Sequence, residues 1–272
     1  MAMNDVSLTA SMRSTLVSLQ ETSNTMNRTQ ERLSTGKKVN SALDNPANFF
    51  AAKGHTDRAN QLEGRKDAMN EAVQAIKAAD KGVKAITTLI ENLRGVVTQA
   101  RAEASGTGAT AAQVAQFTTL TSQLDELVTD ASYKGINFLQ DGVTLKVAFN
   151  EDGSNSLTVS GNGANTAALS IGTLSATDTG ATLDTLEDTL NDALTTLRED
   201  SATLSSNLSV IQTRIDFTTD MVNTLKEGAD KLTLADINEE GANMLMLQTR
   251  QQLGTTSLSL ASQAAQGVLR LF

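Results

Sequence analysis

Leu62–Ala100 reads LEGRKDAMNEAVQAIKAADKGVKAITTLIENLRGVVTQA, and its periodicity decides the fold. Leu62, Met69, Ile76, Val83, Ile90 and Val97 recur every seven residues. Arg65, Ala72, Ala79, Ile86, Leu93 and Ala100 form a second row three residues on, and eleven of the twelve positions are apolar. Such a double row predicts a long helix whose stripe faces other helices. Small Ala on one row and larger residues on the other allow close interhelical approach. Pro46 is the single proline, so nothing beyond it need break the run.

Toward the N-terminus, VNSALDNPA (Val39–Ala47) is a connector in which Asp44-Asn45-Pro46 marks a turn and Pro46 seats the first turn of the long helix. Residues 3–35 form another amphipathic helix, with Met12, Leu19, Met26 and Leu33 on one row. Its companion row is Leu8, Thr15, Thr22 and Thr29, so this seam is semi-polar. Gly36 fits the position just past the helix end, beside Lys37 and Lys38.

Toward the C-terminus, Ser105-Gly106-Thr107-Gly108 is a flexible turn. A shorter helix through Val114, Phe117, Thr121, Leu124 and Val128 should fold back antiparallel. Val143, Leu145, Val147 and Phe149 then alternate with polar or small residues, Glu151–Asn155 is a hairpin loop, and Ser156–Ser160 is the return strand. Residues 161–180 are rich in Gly, Ser, Thr, Ala and Asn, with a short strand expected at Leu169–Ile171. The helical rhythm resumes at Leu183 with Leu190, Leu197, Leu204, Ile211, Thr218 and Leu225, and Gly228 and Asp230 are expected to interrupt it. The last helix, from near Thr233 or Asp236, places Met244, Leu247, Gln251, Gly254, Leu258, Ala261, Ala265, Val268 and Phe272 on its inward face. Gly254 and Gly267 are its weak points.

The expected fold is therefore mainly α: a long antiparallel helical bundle or coiled coil, a small β-hairpin region in the middle, and paired N- and C-terminal helices. Residues 1–40 with 232–272 form the terminal helical domain. Residues 41–231 form the bundle domain, with the β region at about 141–180. Neither terminal strip buries enough apolar surface to order its own backbone in isolation, so both need partners.

Composition narrows the function. Aromatics are 3% of the chain and there is no Trp, which suits thin helical bundles better than a thick enzyme core. Net charge is −9, split between a +3 segment over residues 1–66 and a −10 segment over residues 120–200. No basic stripe exists to replace counterions around phosphates, so nucleic acid is not an expected partner. The absence of Cys excludes disulfides and zinc–sulfur sites. No eighteen-residue apolar run predicts membrane insertion. The N-terminus lacks a secretory signal pattern, so the protein is expected to be cytosolic or to leave the cell by a route without a cleaved signal.

The candidates for chemistry are sparse. His55 is the only histidine and reads as a polar residue near a helix start, with no nucleophile elbow to accompany it. Asp125-Glu126 and Glu187-Asp188 are adjacent on helices and read as solvent-facing charge rather than acid–base pairs. Asp152-Gly153 reads as a turn rather than a calcium loop. No enzyme activity and no cofactor are expected. Thr166, Ser170, Thr173, Ser175, Thr177 and Thr179 offer hydroxyls for O-linked modification.

Two motifs at opposite ends carry a family resemblance. Arg32–Ala47, RLSTGKKVNSALDNPA, closely resembles the R-[LI]-[ST]-[ST]-G-x-[RK]-[IV]-N-[ST]-A-x-D-[DN] motif of bacterial flagellins. Gln251–Gly254 with Ser257–Ser259, and the ending Val268–Phe272, resemble the flagellin C-terminus. Tyr133–Leu139, YKGINFL, stands before the β region as it does in that family. The resemblance implies a structural subunit that self-assembles into an extracellular filament for motility. It also implies secretion unfolded through the flagellar type III channel, with paired terminal helices lining the inner tube. The implied partners are other copies of the chain, sister flagellins, and the export machinery, chaperone, cap and hook-junction proteins. Large outer domains look absent or vestigial. The alternative reading is a hook-filament junction protein, or another secreted coiled-coil assembly protein.

One departure concerns the Q-R-V-R-E-L-A-V-Q stretch of flagellins recognised by the vertebrate flagellin receptor. Glu91–Gln99 here lacks the first Gln-Arg and the Glu. The residues expected to pack subunits together are Leu8, Met12, Leu19, Met26, Leu33, Met244, Leu247, Leu258, Ala261, Val268 and Phe272.

Overall fold

The computed structural model describes residues 10–103 and 108–269. Five helices and one hairpin follow in the order α1 (Ala10–Thr35), α2 (Pro46–Glu103), α3 (Ala111–Asp130), β1 (Thr144–Ala148), β2 (Ser156–Ser160), α4 (Gly180–Thr233) and α5 (Ile237–Leu269). The chain divides into two compact units, residues 1–57 with 225–272, and residues 58–224.

The second unit carries a continuous apolar core. Leu62, Met69, Ile76, Val83, Ile90 and Val97 are all buried on α2, and so are Ala72, Ala79, Ile86, Leu93 and Ala100. From α3 come Phe117, Leu124 and Val128, and from α4 come Leu183, Leu190, Leu197, Leu204 and Ile211. The one charged inward position, Arg65, is half-buried and donates through Nη2 to the Glu151 carbonyl at 3.1 Å, and the Glu151 carboxylate pairs with Arg58 at 2.7 Å. The α2 and α4 helices run antiparallel. Arg94 meets Glu187 at 3.7 Å, Arg101 meets Glu187 at 3.0 Å and Asp184 at 2.8 Å, and Ser201 Oγ donates to Asp80 at 3.1 Å. Glu187 is thus an interhelical partner rather than solvated charge.

Helix α3 starts with a capping box, in which Gln113 N donates to Thr110 Oγ1 at 3.3 Å and Thr110 N to Gln113 Oε1 at 2.8 Å. Its other end is closed by the buried Asn137, whose Nδ2 donates to the Val128 carbonyl at 2.6 Å and whose Oδ1 accepts from Leu139 N at 3.0 Å. Beside it Lys134 reaches Glu71 at 2.7 Å, and that ammonium holds the Glu71 carboxyl below the usual carboxylate range.

The hairpin pairs Leu145 with Val159 and Val147 with Leu157, so those four side chains share the face toward the helices. Asp125 is also drawn into structure: its carboxylate accepts from Thr166 N at 2.8 Å and Thr166 Oγ1 at 2.9 Å, fastening the loop after β2 onto α3.

Two expectations are corrected. No strand forms at Leu169–Ile171; Leu169 N donates to the Asn165 carbonyl and Ile171 N to the Thr166 carbonyl, a coiled turn that buries both apolar side chains from one side. Nor do Gly228 and Asp230 end a helix, because α4 runs through to Thr233. A lone Gly inside a helix costs only about 1 kcal/mol, and Val222, Leu225 and Ala229 bury that stretch. The expected turn at Ser105–Thr107 lies outside the described residues.

Candidate assembly surface

In the first unit the RLSTGKKVNSALDNP motif forms a joint. Helix α1 ends at Thr35, and Gly36 takes φ +68°, a conformation open to Gly at little cost. The chain then docks on the end of α4 and the short link to α5. Lys38 N and Val39 N donate to the Thr233 carbonyl at 2.7 and 3.2 Å, and Ala235 N donates back to the Gly36 carbonyl at 3.0 Å. Asn40 Nδ2 reaches Thr35 Oγ1 at 3.1 Å. Asp44 staples the connector: its Oδ2 accepts from Asn40 N, Ser41 N and Ser41 Oγ at 3.1, 2.9 and 3.1 Å. Those donors, led by the Ser41 amide, hold the Asp44 carboxyl below its ordinary range. Asn45 then caps α2, accepting from Asn48 N at 3.1 Å one turn into the helix that Pro46 opens. The motif's residue types are therefore those of a closed turn set, in which Thr35, Asn40, Ser41, Asp44 and Asn45 bond within the motif or to the helix it opens.

From this joint α1 and α5 pack antiparallel. Arg32 Nη1 meets Glu240 Oε1 at 2.9 Å, with the Glu240 side chain only 9% exposed, and farther along Leu19 lies against Gly254. A Cβ built on Gly254 would come within 2.8 Å of Leu19 Cδ2. Gly254, which reads from the sequence as a weak point, is the socket that seats Leu19. Asp236 caps α5 by accepting from Asn238 N at 2.9 Å.

Eight of the expected packing residues can be placed on α1 and α5. Met12 and Leu247 are buried, and Leu19, Met26, Leu33, Met244, Leu258 and Ala261 are half-buried. Leu8, Phe272 and the Val268 side chain lie outside the described residues. The seam's most enclosed positions on α1 include Thr22 and Thr29. Thr22 Oγ1 donates to the Ser18 carbonyl at 2.8 Å, so its hydroxyl is satisfied within its own helix and its methyl faces the seam. On one flank, Ser18, Thr22, Thr25 and Thr29 face Asn243, Met246, Leu247 and Arg250 across a groove of about 570 Å³.

The feature that a single seven-residue grid misses is a second apolar row on α5. Met246, Leu253 and Leu260 also recur every seven residues, and with Leu245 they are 58–67% exposed. The signal was in the triplet Leu245-Met246-Leu247, which must point to different sides of a helix. Val17 on α1 is exposed as well, at 61%.

The loop hydroxyls separate into two groups. Thr166 is tied to Asp125, and Ser175 Oγ lies 3.1 Å from Thr177 Oγ1. Ser170, at φ +53°, and Thr173 and Thr179 are exposed, with no side-chain hydrogen bond among the described residues. His55 is half-buried on α2, facing Gly228. Among the described residues no group of carboxylates and imidazoles could hold a metal, and no helix is long and apolar enough to cross a membrane.

Comparison with known proteins accounts for the same elements. Residues 6–144 match the bacterial flagellin N-terminal helical region and residues 186–272 the bacterial flagellin C-terminal helical region. Over the full length of both chains the sequence is 31% identical to flagellin FljO and 30% identical to flagellin FljK of Caulobacter vibrioides. It is 26% identical to flagellin C of Rhizobium meliloti, over 94% of this chain and 95% of that one.

Proposed function

This chain belongs to the bacterial flagellin family, and on that premise we propose how its terminal helices build the polymer. As a member of that family it is a structural subunit that self-assembles with other copies into the extracellular flagellar filament, and it is not an enzyme. The observation that carries the finer reading is the double apolar character of α5. One row is used inside the molecule against α1, and the other, Met246, Leu253 and Leu260, is 58–67% exposed. The terminal pair, residues 1–40 with 232–272, is the polymerisation domain, and residues 41–231 are the body that it carries. Met12, Leu19, Met26 and Leu33 with Met244, Leu247, Leu258 and Ala261 hold the pair together and so fix where the outer row points. Leu8, Val268 and Phe272 extend the same packing set. Covering three large apolar side chains contributes roughly 1.5–3 kcal/mol each, enough per subunit to tip assembly once a filament end presents a matching surface.

Secretion through the flagellar export channel, with chaperone, cap and hook-junction proteins as partners, follows from the same premise, and sister flagellins can share the polymer. O-linked sugars, where present, attach first at Ser170, Thr173 and Thr179, whose hydroxyls are exposed and uncommitted. An intact mass equal to that of the bare chain removes this part of the reading.

Seeded polymerisation tests the main proposal. Leu253→Asp and Leu260→Asp alter exposed positions, so the monomer should keep its circular dichroism and melting while electron microscopy shows no filaments. Normal filaments from either variant would refute the role of the outer row.

A further inference from the structure

Outside the helices, Asn40, Asn155, Asn162 and Asn165 each precede glycine, serine or threonine. In such pairs the next backbone nitrogen can attack the side-chain amide carbon, provided that the nitrogen is not already engaged. The nitrogens after Asn40, Asn155 and Asn165 are held. Ser41 N donates to Asp44 Oδ2 at 2.9 Å, and Thr166 N to Asp125 Oδ1 at 2.8 Å. Ser156 lies in β2, paired with Ala148. Gly163 differs. Its N–H donates to no group among the described residues, it has no side chain to shield that nitrogen, and Asn162 before it is exposed. No other asparagine in the chain precedes glycine.

Packing explains why the reactive pair stands here. A Cβ on Gly163 would come within 2.8 Å of Ala168 Cβ, and one on Gly161 within 2.7 Å of the Phe138 carbonyl oxygen. Glycine permits both close approaches. Between them, Asn162 Nδ2 donates to Asp200 Oδ1 at 2.5 Å and ties the loop to α4. Gly161 N donates to the Val143 carbonyl at 2.7 Å and Ala164 N to the Leu139 carbonyl at 3.0 Å. The loop then buries Ala164, Leu169 and Ile171.

We propose that Asn162–Gly163 is a site of spontaneous modification, closing to a succinimide and opening to aspartate or isoaspartate. Gly163 N bonds to Asn162 Cγ, the Cγ–Nδ2 bond breaks, and the proton lost from Gly163 N departs on ammonia. Water then opens the ring at either carbonyl. Opening at the side-chain carbonyl gives aspartate; opening at the main-chain carbonyl gives isoaspartate, whose main chain runs through Cγ. Water enters, ammonia leaves, and nothing is oxidised or reduced. Either product removes the donor to Asp200 and places a negative charge near that carboxylate, so attraction becomes repulsion. Isoaspartate also lengthens the main chain between two glycines that have no room for a Cβ. The consequence is release of residues 161–175 from α4. The modification needs no enzyme and does not depend on the polymer reading.

The full chain is incubated at mildly alkaline pH, which favours loss of the Gly163 amide proton, and mapped by peptide mass spectrometry. Isoaspartate is counted by methyl transfer from S-adenosylmethionine with an isoaspartyl methyltransferase. Amide-to-acid conversion at Asn162 should outpace that at Asn40 and Asn165 about tenfold, because their following nitrogens must first leave a carboxylate. A second arm reads the consequence directly. Asn162→Asp should speed proteolysis within residues 161–175 about tenfold, and Asp200→Asn in the same chain should restore resistance by reversing donor and acceptor. Conversion spread evenly over the asparagines, or an Asn162→Asp loop as resistant as the original, overturns the proposal. Neither outcome touches seeded polymerisation, which tests the polymer reading separately.

Discussion

The body and the terminal pair are built from the same seven-residue rows but close them differently. In the body, the rows of α2, α3 and α4 meet in a core where Phe117, Met69, Ile86, Ile90, Leu124, Leu190 and Ile211 are fully buried. In the terminal pair, two helices share one seam whose enclosed positions include Thr22, Thr29 and Glu240, while Leu245, Met246, Leu253 and Leu260 remain in solvent. Three helices and a hairpin can surround a side chain, whereas two helices leave most seam residues an open flank. The body thus closes its own core, and the pair leaves large apolar side chains in solvent.

Four changes would sharpen or break that contrast, and the core should show the largest effect. Phe117→Ala should cost the body about 3–5 kcal/mol, read from urea unfolding, because nothing can collapse into the space between α2, α3 and α4. Leu253→Ala, of comparable size on the outer row, should leave the same transition unmoved. Equal losses would erase the distinction between the two regions.

Next comes the ion pair at the joint. Arg32→Ala leaves the Glu240 carboxylate largely enclosed without its cation, an uncompensated loss of about 1–3 kcal/mol confined to the pair. Amide exchange should quicken across α1 and α5 and stay unchanged through α2 from Met69 to Val97. Uniform acceleration would count against separate units.

Smaller still is the socket. Gly254→Val should loosen the pair by about 1 kcal/mol, and Leu19→Ala in the same chain should recover part of it, measured as protease resistance of the terminal helices. Additive losses would show that Leu19 and Gly254 do not fit one another in solution.

The smallest change expected is with pH. The carboxyl of Asp44 is held below its ordinary range by amide and hydroxyl donors in the connector. Its contribution is therefore complete above the unfolded-state carboxylate value and is lost only as pH falls through the lower folded-state value. Amide protection at Asn40 and Ser41 should persist down to that range and then vanish, and Asp44→Asn should weaken it at neutral pH.

Sequence alone determined the helices, their inward rows, the hairpin and the joint. Apolar residues at period seven and the Asp44-Asn45-Pro46 turn act over a few residues, so their meaning survives without knowledge of the fold. The N-terminal motif was legible for the same reason, since Asn40, Ser41 and Asp44 bond one another. Only tertiary structure decided what adjacent carboxylates do: Asp125 fastens the Thr166 loop and Glu187 bridges to α2, through partners distant in sequence. It decided that α4 continues past Gly228, because packing offsets a small local penalty. It also decided which of two equally periodic rows on α5 meets α1. Period fixes that a row exists, but the closer fit, a Leu19 side chain over a bare Gly254 backbone, chooses which row turns inward and which stays outside.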